Sequence, residues 1–376
     1  MDNFTVDLSS LAGFELDLQD VGTNFSSNAS RLLSAVSLPT GSTGLMATLT
    51  SSLEKFHSAI STAQQRDLAA LGTLGTNLAT AGTRYLASDD NSANALSAAS
   101  ANTFGDKGAP DRSADSLGAS RFSGLQLPSL PEVQENQYAV RQVVTAGIEL
   151  ISPYDEPLSR TIGIKPAADY LSPLVADWEA LQAIGKRIGL LGINDYVASE
   201  NLVGGSTWLQ RNWSGDAAQA FGAMAGGLGQ SVAGRSSDLD AVSKIVENGA
   251  ACLERLVYNQ AMGLSGGLAQ SMKFLGFTLP LGVWAQLIDK PMQGSMRAEI
   301  ISAVDTLKKS ADSRQNAMTT IIERFSQTLD YTPGRAIPSL DASEFELPEK
   351  VVVDLGVMRY GFGNNVWWES SIASAT

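Results

Sequence analysis

The sequence predicts an all-α protein: an elongated helical bundle of two helical hairpins packed together, with extra helices and an irregular C-terminal tail. Apolar residues recur at every third or fourth position over most of the chain, which is the spacing that lines one face of a helix. Segments rich in glycine and proline interrupt this spacing and mark the helix ends. Hydrophobic residues make up 44% of the 376 residues, so the chain has enough apolar material to bury a core.

Changes in this pattern divide the sequence into four segments. A first helical hairpin is predicted in residues 1–102 and a second helical region in 137–330, with a C-terminal tail in 331–376. Residues 103–136, between the two helical regions, contain three prolines and many small polar residues without sustained periodicity. This composition predicts a flexible, mostly disordered linker that is long enough for the flanking parts to dock side by side.

The first hairpin is expected between residue 14 and about residue 100. Its shorter helix has one apolar stripe, formed by Leu18, Val21, Phe25, Ala29, Leu32 and Val36. After the proline and glycines of residues 38–44, a longer helix carries a stripe formed by Met46, Leu49, Leu53, Phe56, Ile60, Ala63, Leu68, Leu71, Leu74, Leu78, Ala81 and Tyr85. Because the shorter helix cannot cover this stripe, we expect the second region to bury Leu53, Ile60 and Leu71.

The second region is predicted to contain a helix in 138–152 and another that runs from Pro166 to Leu191. We expect a loop next, containing Gly192, Gly204 and Gly205 and leading to Trp208. A further long helix then carries the stripe Phe221, Met224, Leu228, Val232, Leu239, Val242, Val246, Leu253 and Leu256.

The remaining segments are less regular. Residues 262–288 are apolar with Lys273 as their one charge, but glycines and a proline interrupt them, which favours helical core or bundle extension over a membrane span. Residues 294–329 predict a charged amphipathic helix. In the tail, Val351–Val353 and Val366–Trp368 suggest a strand-like or partner-binding segment.

Composition argues against several function classes. The net charge of −13 disfavours nucleic-acid binding, which needs a basic surface. Cys252 is the one cysteine, so an intrachain disulfide and a cysteine metal cluster are excluded. His57 is the one histidine and lies in a helical pattern, while the glycines of 226–229 lack the Lys-Ser/Thr ending of a phosphate loop. We therefore expect no enzyme, no metal and no cofactor.

The N-terminal residues Met1–Asp7 are acidic and show neither the basic nor the apolar part of a conventional signal peptide. This leaves two expectations for the location of the protein. It is either cytoplasmic or exported by a route that reads folded structure.

Two short motifs bear on that choice. Tyr85 and Asp89 form a Y-x-x-x-D pattern near the end of the long helix, one turn apart on the same face. Trp213 and Gly215 form a W-x-G pattern at a break between helices, where glycine permits a turn and the tryptophan ring fills the cleft with its N–H outward. Ordinary packing residues are the alternative explanation of each motif alone.

The run from Trp213 to Phe221 resembles the turn of the WxG superfamily, which includes small early-secreted antigens, PPE proteins and actinobacterial toxin leaders. Residues 14–100 resemble the partner hairpin of PE and Esp proteins, which carry Y-x-x-x-D and lack W-x-G. The resemblance covers roughly residues 14–100 and 160–262. In these families two hairpins form a four-helix bundle, and both motifs lie at one end as a composite signal for a type VII (ESX) secretion system. The resemblance therefore predicts that Tyr85 and Trp213 approach each other.

The resemblance implies a secreted substrate, like the fused Esp-type proteins, that leaves the cell as a folded bundle and reaches the medium or the cell surface. Its implied signal residues are Tyr85, Asp89, Trp213 and Gly215, and its implied partner is the secretion ATPase and core complex. A non-enzymatic scaffold, effector or oligomer-forming role is expected, which leaves a homo-oligomer, a chaperone or effector partner and membrane contact after export open. The alternatives are a carrier for a toxin or separate effector, and a cytoplasmic structural protein.

Overall fold

The computed structural model describes residues 5–101, 118–135, 139–337 and 345–352, with side chains excluded at 92–101. These residues form an all-α helical bundle with one small hairpin, which confirms the predicted fold class. The elements are α1 (Leu8–Ser34), α2 (Thr50–Ala101), α3 (Ala139–Ile151), α4 (Asp155–Thr161), α5 (Pro166–Tyr170), α6 (Ala180–Leu209), α7 (Asp216–Ala269), β1 (Ser271–Phe274), β2 (Phe277–Pro280), α8 (Leu281–Gln286) and α9 (Gly294–Leu329).

The chain forms two compact units, and each is assembled from separate stretches of sequence. The first unit takes the chain up to residue 34 together with 58–131 and 190–240. The second takes 35–57, 132–189 and the chain from 241 onward. Because α2, α6 and α7 each contribute to both units, the units cut across the four segments into which the sequence was divided.

The core of the first unit joins both predicted hairpins. Buried residues of α1, α2, α6 and α7 form one apolar cluster that includes Leu11, Phe14, Leu18, Phe25, Leu71, Leu74, Leu78, Leu202, Phe221 and Val232. A fully buried side chain of this size stabilises the fold by about 1.5–3 kcal/mol. Leu71 therefore packs with the second region as predicted; Leu53 and Ile60 are also buried, with 3% and 0% of their surface exposed.

The predicted loop before Trp208 is wrong, because Gly192, Gly204 and Gly205 all lie inside α6. Two of these glycines allow another element to approach the helix closely. A Cβ atom on Gly205 would lie 2.1 Å from the Phe14 ring, and one on Gly192 would lie 3.2 Å from the Ser236 carbonyl oxygen. The glycines in the sequence suggested a loop, but in the structure they are small residues that allow close packing against a helix.

The predicted continuous helix from Pro166 to Leu191 is also wrong. Helix α5 ends at Tyr170, a 3₁₀ turn covers Ser172–Leu174, and α6 begins at Ala180. Pro173 lies in this turn; proline has no N–H group to donate and disfavours helical conformation in the residue before it.

Part of the predicted flexible linker is bound to the first unit. The Ser120 N–H donates to the Ser9 carbonyl at 2.9 Å, and the Phe122 N–H donates to a carboxylate oxygen of Asp17 at 2.8 Å. The Arg121 guanidinium pairs with both Asp17 and Asp20. The expectation of a disordered connection therefore does not hold for this stretch, whereas residues 103–117 of the linker lie outside the described residues.

Side-chain amides hold the rest of this bound segment by hydrogen bonds to its backbone. Asn201 accepts the Gln126 N–H at 2.9 Å and donates to the Gln126 carbonyl at 2.7 Å. Asn24 and Asn28 both donate to the Pro128 carbonyl, at 3.2 and 3.1 Å. We call residues 118–131 the strap, because they lie across α1 and α6 without forming regular structure.

A buried ionic cluster also ties three helices of the first unit together. Arg235 of α7 donates from Nε to Asp195 of α6 at 2.6 Å and from Nη1 to Asp67 of α2. Burial raises the pKa of Asp195 to about 6, although Arg235 acts against this shift. Buried charges require such partners, so the cluster fixes which faces of α2, α6 and α7 meet.

The second unit packs α3 and α9 against the C-terminal half of α7, again at glycines. A Cβ on Gly147 of α3 would lie 3.7 Å from the Ala261 side chain, and one on Gly249 of α7 would lie 2.4 Å from the Phe325 ring of α9. Helix α9 is the charged helix predicted for 294–329.

Residues 262–288 differ from the predicted helical extension. Helix α7 ends at Ala269, and β1 and β2 form an antiparallel hairpin with Phe274 opposite Phe277, after which α8 begins. The hairpin turn has φ of 53° at Leu275 and 81° at Gly276, and leucine in this left-handed conformation costs roughly 1–2 kcal/mol. Within the described residues, no helix combines the length and apolar character needed to cross a membrane.

The C-terminal tail forms no strand in its described parts, residues 331–337 and 345–352. Instead, Asn259 of α7 donates to the Glu349 carbonyl and accepts the Val351 N–H, both at 2.8 Å. The predicted segment Val366–Trp368 lies outside the described residues, as does Val353.

Two carboxyl groups are buried together in the second unit. Glu254 of α7 is 3% exposed and accepts a hydrogen bond from Gln182, while Glu179 is 4% exposed and accepts the Val140 N–H at 2.8 Å. Burial, reinforced by the nearby Glu179, raises the pKa of Glu254 to about 8. Burial also raises the pKa of Glu179, against the hydrogen bond from Val140.

A prediction for the strap follows from Gly13 of α1, where a Cβ would lie 1.7 Å from the Ser120 carbonyl oxygen. We expect Gly13→Ala to displace the strap, so that hydrogen exchange of residues 118–131 rises by roughly tenfold or more. Gly22→Ala is the matched control, because its Cβ would meet nothing within 4 Å; it should leave strap exchange unchanged and stabilise α1 by up to about 1 kcal/mol. Equal strap protection in both variants would contradict the contact.

A second prediction concerns pH. Because the pKa of Glu254 rises from 4.5 to about 8 on folding, the folded state keeps a proton that the unfolded state has released. Stability from this group is therefore complete below pH 4.5 and is lost as pH rises towards 8, by on the order of 4 kcal/mol. Urea unfolding across this range should show a smaller loss for Glu254→Gln. Glu156→Gln, at an exposed position in the same unit, should keep the wild-type slope; the same slope in Glu254→Gln would refute the assignment.

Candidate functional site

The two motifs meet in the first unit. Tyr85 lies on α2, and Trp213 lies in the turn between α6 and α7. The Trp213 Nε1–H donates to the Tyr85 hydroxyl at 3.2 Å, and the two ring centroids are 6.5 Å apart with the rings at 77°. The predicted approach of Tyr85 and Trp213 is therefore confirmed. The expected outward direction of the indole N–H is wrong, because this group points at Tyr85.

Trp213 is also the start of a chain of aromatic contacts. The ring centroids of Trp213 and Phe221 are 5.8 Å apart, those of Phe221 and Phe14 are 6.1 Å apart, and those of Phe14 and Trp208 are 6.3 Å apart. Trp208 in turn lies 6.1 Å from Phe122 of the strap. Trp213 is 4% exposed and is thus fixed by packing, whereas Tyr85 is half-buried and keeps part of its surface accessible.

Gly215 provides the turn that leads into α7. Its φ of 104° lies in the left-handed region that favours glycine, so a side chain here would strain the backbone. Asp216 follows as the first residue of α7 and complements the positive end of the helix dipole. The glycine of W-x-G therefore has a conformational role that the sequence pattern predicted.

Asp89 lies one helical turn after Tyr85 and is exposed. The sequence had suggested that the Y-x-x-x-D motif lies near the end of the long helix. Helix α2 continues to Ala101, so the motif lies within the helix. The Asp89 carboxylate is therefore exposed on α2, one helical turn from the Tyr85–Trp213 contact.

The N-terminal segment contributes a third part that the sequence did not reveal. Val6 forms an antiparallel bridge with Trp213, flanked by hydrogen bonds from Asp7 N to Asn212 O and from Ser214 N to Thr5 O, both 2.9 Å. The Thr5 N–H also donates to the Ser214 hydroxyl at 2.9 Å. These bonds hold both sides of Trp213 and so limit the directions its side chain can take. We call Thr5–Asp7 the N-terminal clamp.

Asp7 joins the clamp to the start of α1. One of its carboxylate oxygens accepts the Ser9 N–H at 3.0 Å, and the other accepts the Ser10 hydroxyl at 2.8 Å. Burial by itself raises the pKa of Asp7, but the hydrogen bonds from Ser10 and Ser9 outweigh it and leave the pKa lowered. The carboxylate is therefore ionised at neutral pH, and its negative charge stabilises the N-terminus of α1, which it caps.

The described part of the chain contains no group of three or more His, Cys, Asp or Glu side chains that could hold a metal ion. Cys252, outside this site, has its pKa raised to about 11 by burial and donates to the Glu346 carbonyl at 3.7 Å, so it is a protonated packing residue.

Comparisons with protein-family models, curated proteins and solved structures find no match to this chain. The residues of the site and their geometry are therefore the guide to function. The strongest element of that geometry is the direct contact between two motifs 128 residues apart in the sequence.

A double-mutant cycle tests this contact. We expect Tyr85→Phe and Trp213→Phe each to lower the free energy of unfolding, and the double variant to cost less than their sum by about 0.5–1.5 kcal/mol, the net value of one hydrogen bond. Urea unfolding is the measurement. Tyr196→Phe, at a tyrosine that is 55% exposed, should change stability by less than about 0.5 kcal/mol. Strict additivity of the two site substitutions would show that the hydrogen bond has no energetic weight.

Proposed function

We propose that this protein is a substrate of a type VII (ESX) secretion system, of the WxG and PE–PPE kind and similar to fused Esp-type proteins. It leaves the cell as a folded helical bundle. The secretion ATPase and core complex recognise one composite signal, made of Tyr85, Asp89, Trp213 and Gly215. After export the protein acts without catalysis, as a scaffold, effector or oligomer-forming component.

The observation that supports this proposal is the Trp213–Tyr85 contact. A composite signal requires both halves to lie side by side in the folded chain, and the indole N–H lies 3.2 Å from the tyrosine hydroxyl. Ordinary core packing accounts for the buried Trp213 ring, and Asp89 adds an exposed carboxylate one helical turn from Tyr85.

The fixed geometry of the site also fits recognition of a folded chain. Trp213 is held by Phe221, by Tyr85 and by the N-terminal clamp, so a partner would meet a surface that is already formed. Binding then avoids most of the entropy cost of ordering the contacting residues. Asp89 supplies the accessible charge of that surface.

Export from the native host tests the proposal through a matched pair of exposed residues on one helix. Asp89→Ala should lower the amount of protein in the medium by roughly tenfold or more, as expected for a charged recognition residue, without changing stability. Asp90→Ala removes the neighbouring exposed carboxylate and should export normally. Both proteins must reach wild-type levels inside the cell.

Three further strains complete the export experiment. Tyr85→Ala and Trp213→Ala should also block export, and wild-type protein should stay inside cells that lack the secretion ATPase. Equal export of the Asp89 and Asp90 variants would overturn the composite signal. Wild-type protein found solely inside normal cells would instead favour a cytoplasmic structural protein, and export with a bound toxin or effector would favour a carrier.

A further inference from the structure

The tip of the β1–β2 hairpin is exposed and apolar in a way that folding does not explain. Leu275 and Phe277 are each 67% exposed. The two-residue turn places Leu275 at φ 53° and Gly276 at φ 81°, a conformation in which asparagine, aspartate or glycine is normally preferred first. Leucine at this position neither favours the turn nor gains burial. Its presence at the tip therefore indicates a contact outside the folded chain.

The hairpin is attached to the rest of the second unit through β1, which fixes the position of the turn. Phe274 packs edge-on against Trp284 of α8 with ring centroids 5.3 Å apart. The Trp284 indole N–H donates to the Met272 carbonyl at 2.9 Å. Phe274 and the Met272 carbonyl thus have partners within the second unit, whereas the side chains of Leu275 and Phe277 are exposed.

The small apolar area of the hairpin tip indicates which kind of partner it can bind. The two tip side chains offer roughly 250 Å² of apolar surface, since a large aromatic residue buries about 150–250 Å². A stable protein interface needs about 800 Å² on each partner. A lipid bilayer has no such requirement, because its interface accommodates a narrow apolar projection without a matching pocket.

Local charge agrees with a lipid surface. Lys273 is the one charged residue between Arg255 and Asp289, and it is exposed on β1. The hairpin itself therefore carries one positive charge and no negative charge, in a chain whose net charge is −13. An apolar tip with an adjacent lysine favours the interfacial zone of a membrane that contains anionic lipid.

We propose that the β1–β2 hairpin is a peripheral membrane-binding element. Leu275 and Phe277 insert into the interfacial zone of the bilayer, and Lys273 contacts an anionic headgroup. The binding is reversible, because two side chains supply little apolar area. This inference is independent of the export signal, with which it shares no residue.

Leu275→Asn is the decisive variant, because it creates an Asn-Gly turn that favours the observed backbone while removing the apolar tip. The full chain would be sedimented with phosphatidylcholine vesicles that contain about 30 mol% phosphatidylglycerol, at millimolar lipid. We expect wild-type protein to bind and Leu275→Asn to bind at least about fivefold more weakly, with an unchanged or raised melting temperature. Phe277→Thr should behave similarly.

Two controls separate the apolar and electrostatic parts. Met224→Asn changes another exposed apolar residue, 50% exposed on α7, and should bind like wild type. Lys273→Gln should weaken binding to the anionic vesicles and leave binding to pure phosphatidylcholine unchanged.

Equal binding of wild type and Leu275→Asn would overturn the proposal, as would absence of wild-type binding. If wild type ignores vesicles but forms a dimer in analytical ultracentrifugation that Leu275→Asn abolishes, the tip is a protein contact and the lipid assignment is wrong.

Discussion

The need to cover the apolar face of one very long helix constrains this fold more than any other feature. Helix α2 has 52 residues, and its buried apolar side chains between Leu53 and Leu78 recur at helical spacing. In the first unit, Leu71, Leu74 and Leu78 of this helix are buried in a cluster to which α1, α6 and α7 all contribute. A single short partner helix could not supply that cover. The two hairpins therefore have to pack together, and their packing brings Tyr85 and Trp213 into contact.

Periodicity predicted this much of the fold because the relevant helices are long and amphipathic. It failed where glycine and proline have more than one structural use. Gly192, Gly204 and Gly205 looked like a loop, but the structure keeps them in α6, where Gly205 makes room for Phe14. Glycine spacing alone cannot distinguish a flexible backbone from a close helix contact, since both need a missing side chain.

The candidate site was predictable in its aromatic part and unpredictable in its backbone part. Tyr85 and Trp213 lie in recognisable patterns, and the resemblance of the two motifs to a composite signal predicted that these residues approach each other. The N-terminal clamp is three residues long and pairs through main-chain groups, which leave no trace in residue type. The strap is similar: Asn201 recognises the backbone of Gln126, so almost any residue could stand in that position.

The residues that depart from folding preference carry the most functional information. Gly215 departs from ordinary backbone geometry, but the turn into α7 accounts for its conformation. Leu275 has a similar left-handed backbone with the wrong side chain for it, and it stays exposed. Asparagine at this position would stabilise the turn better than leucine does. A residue that folding disfavours and that gains no burial is best explained by a contact outside the folded chain.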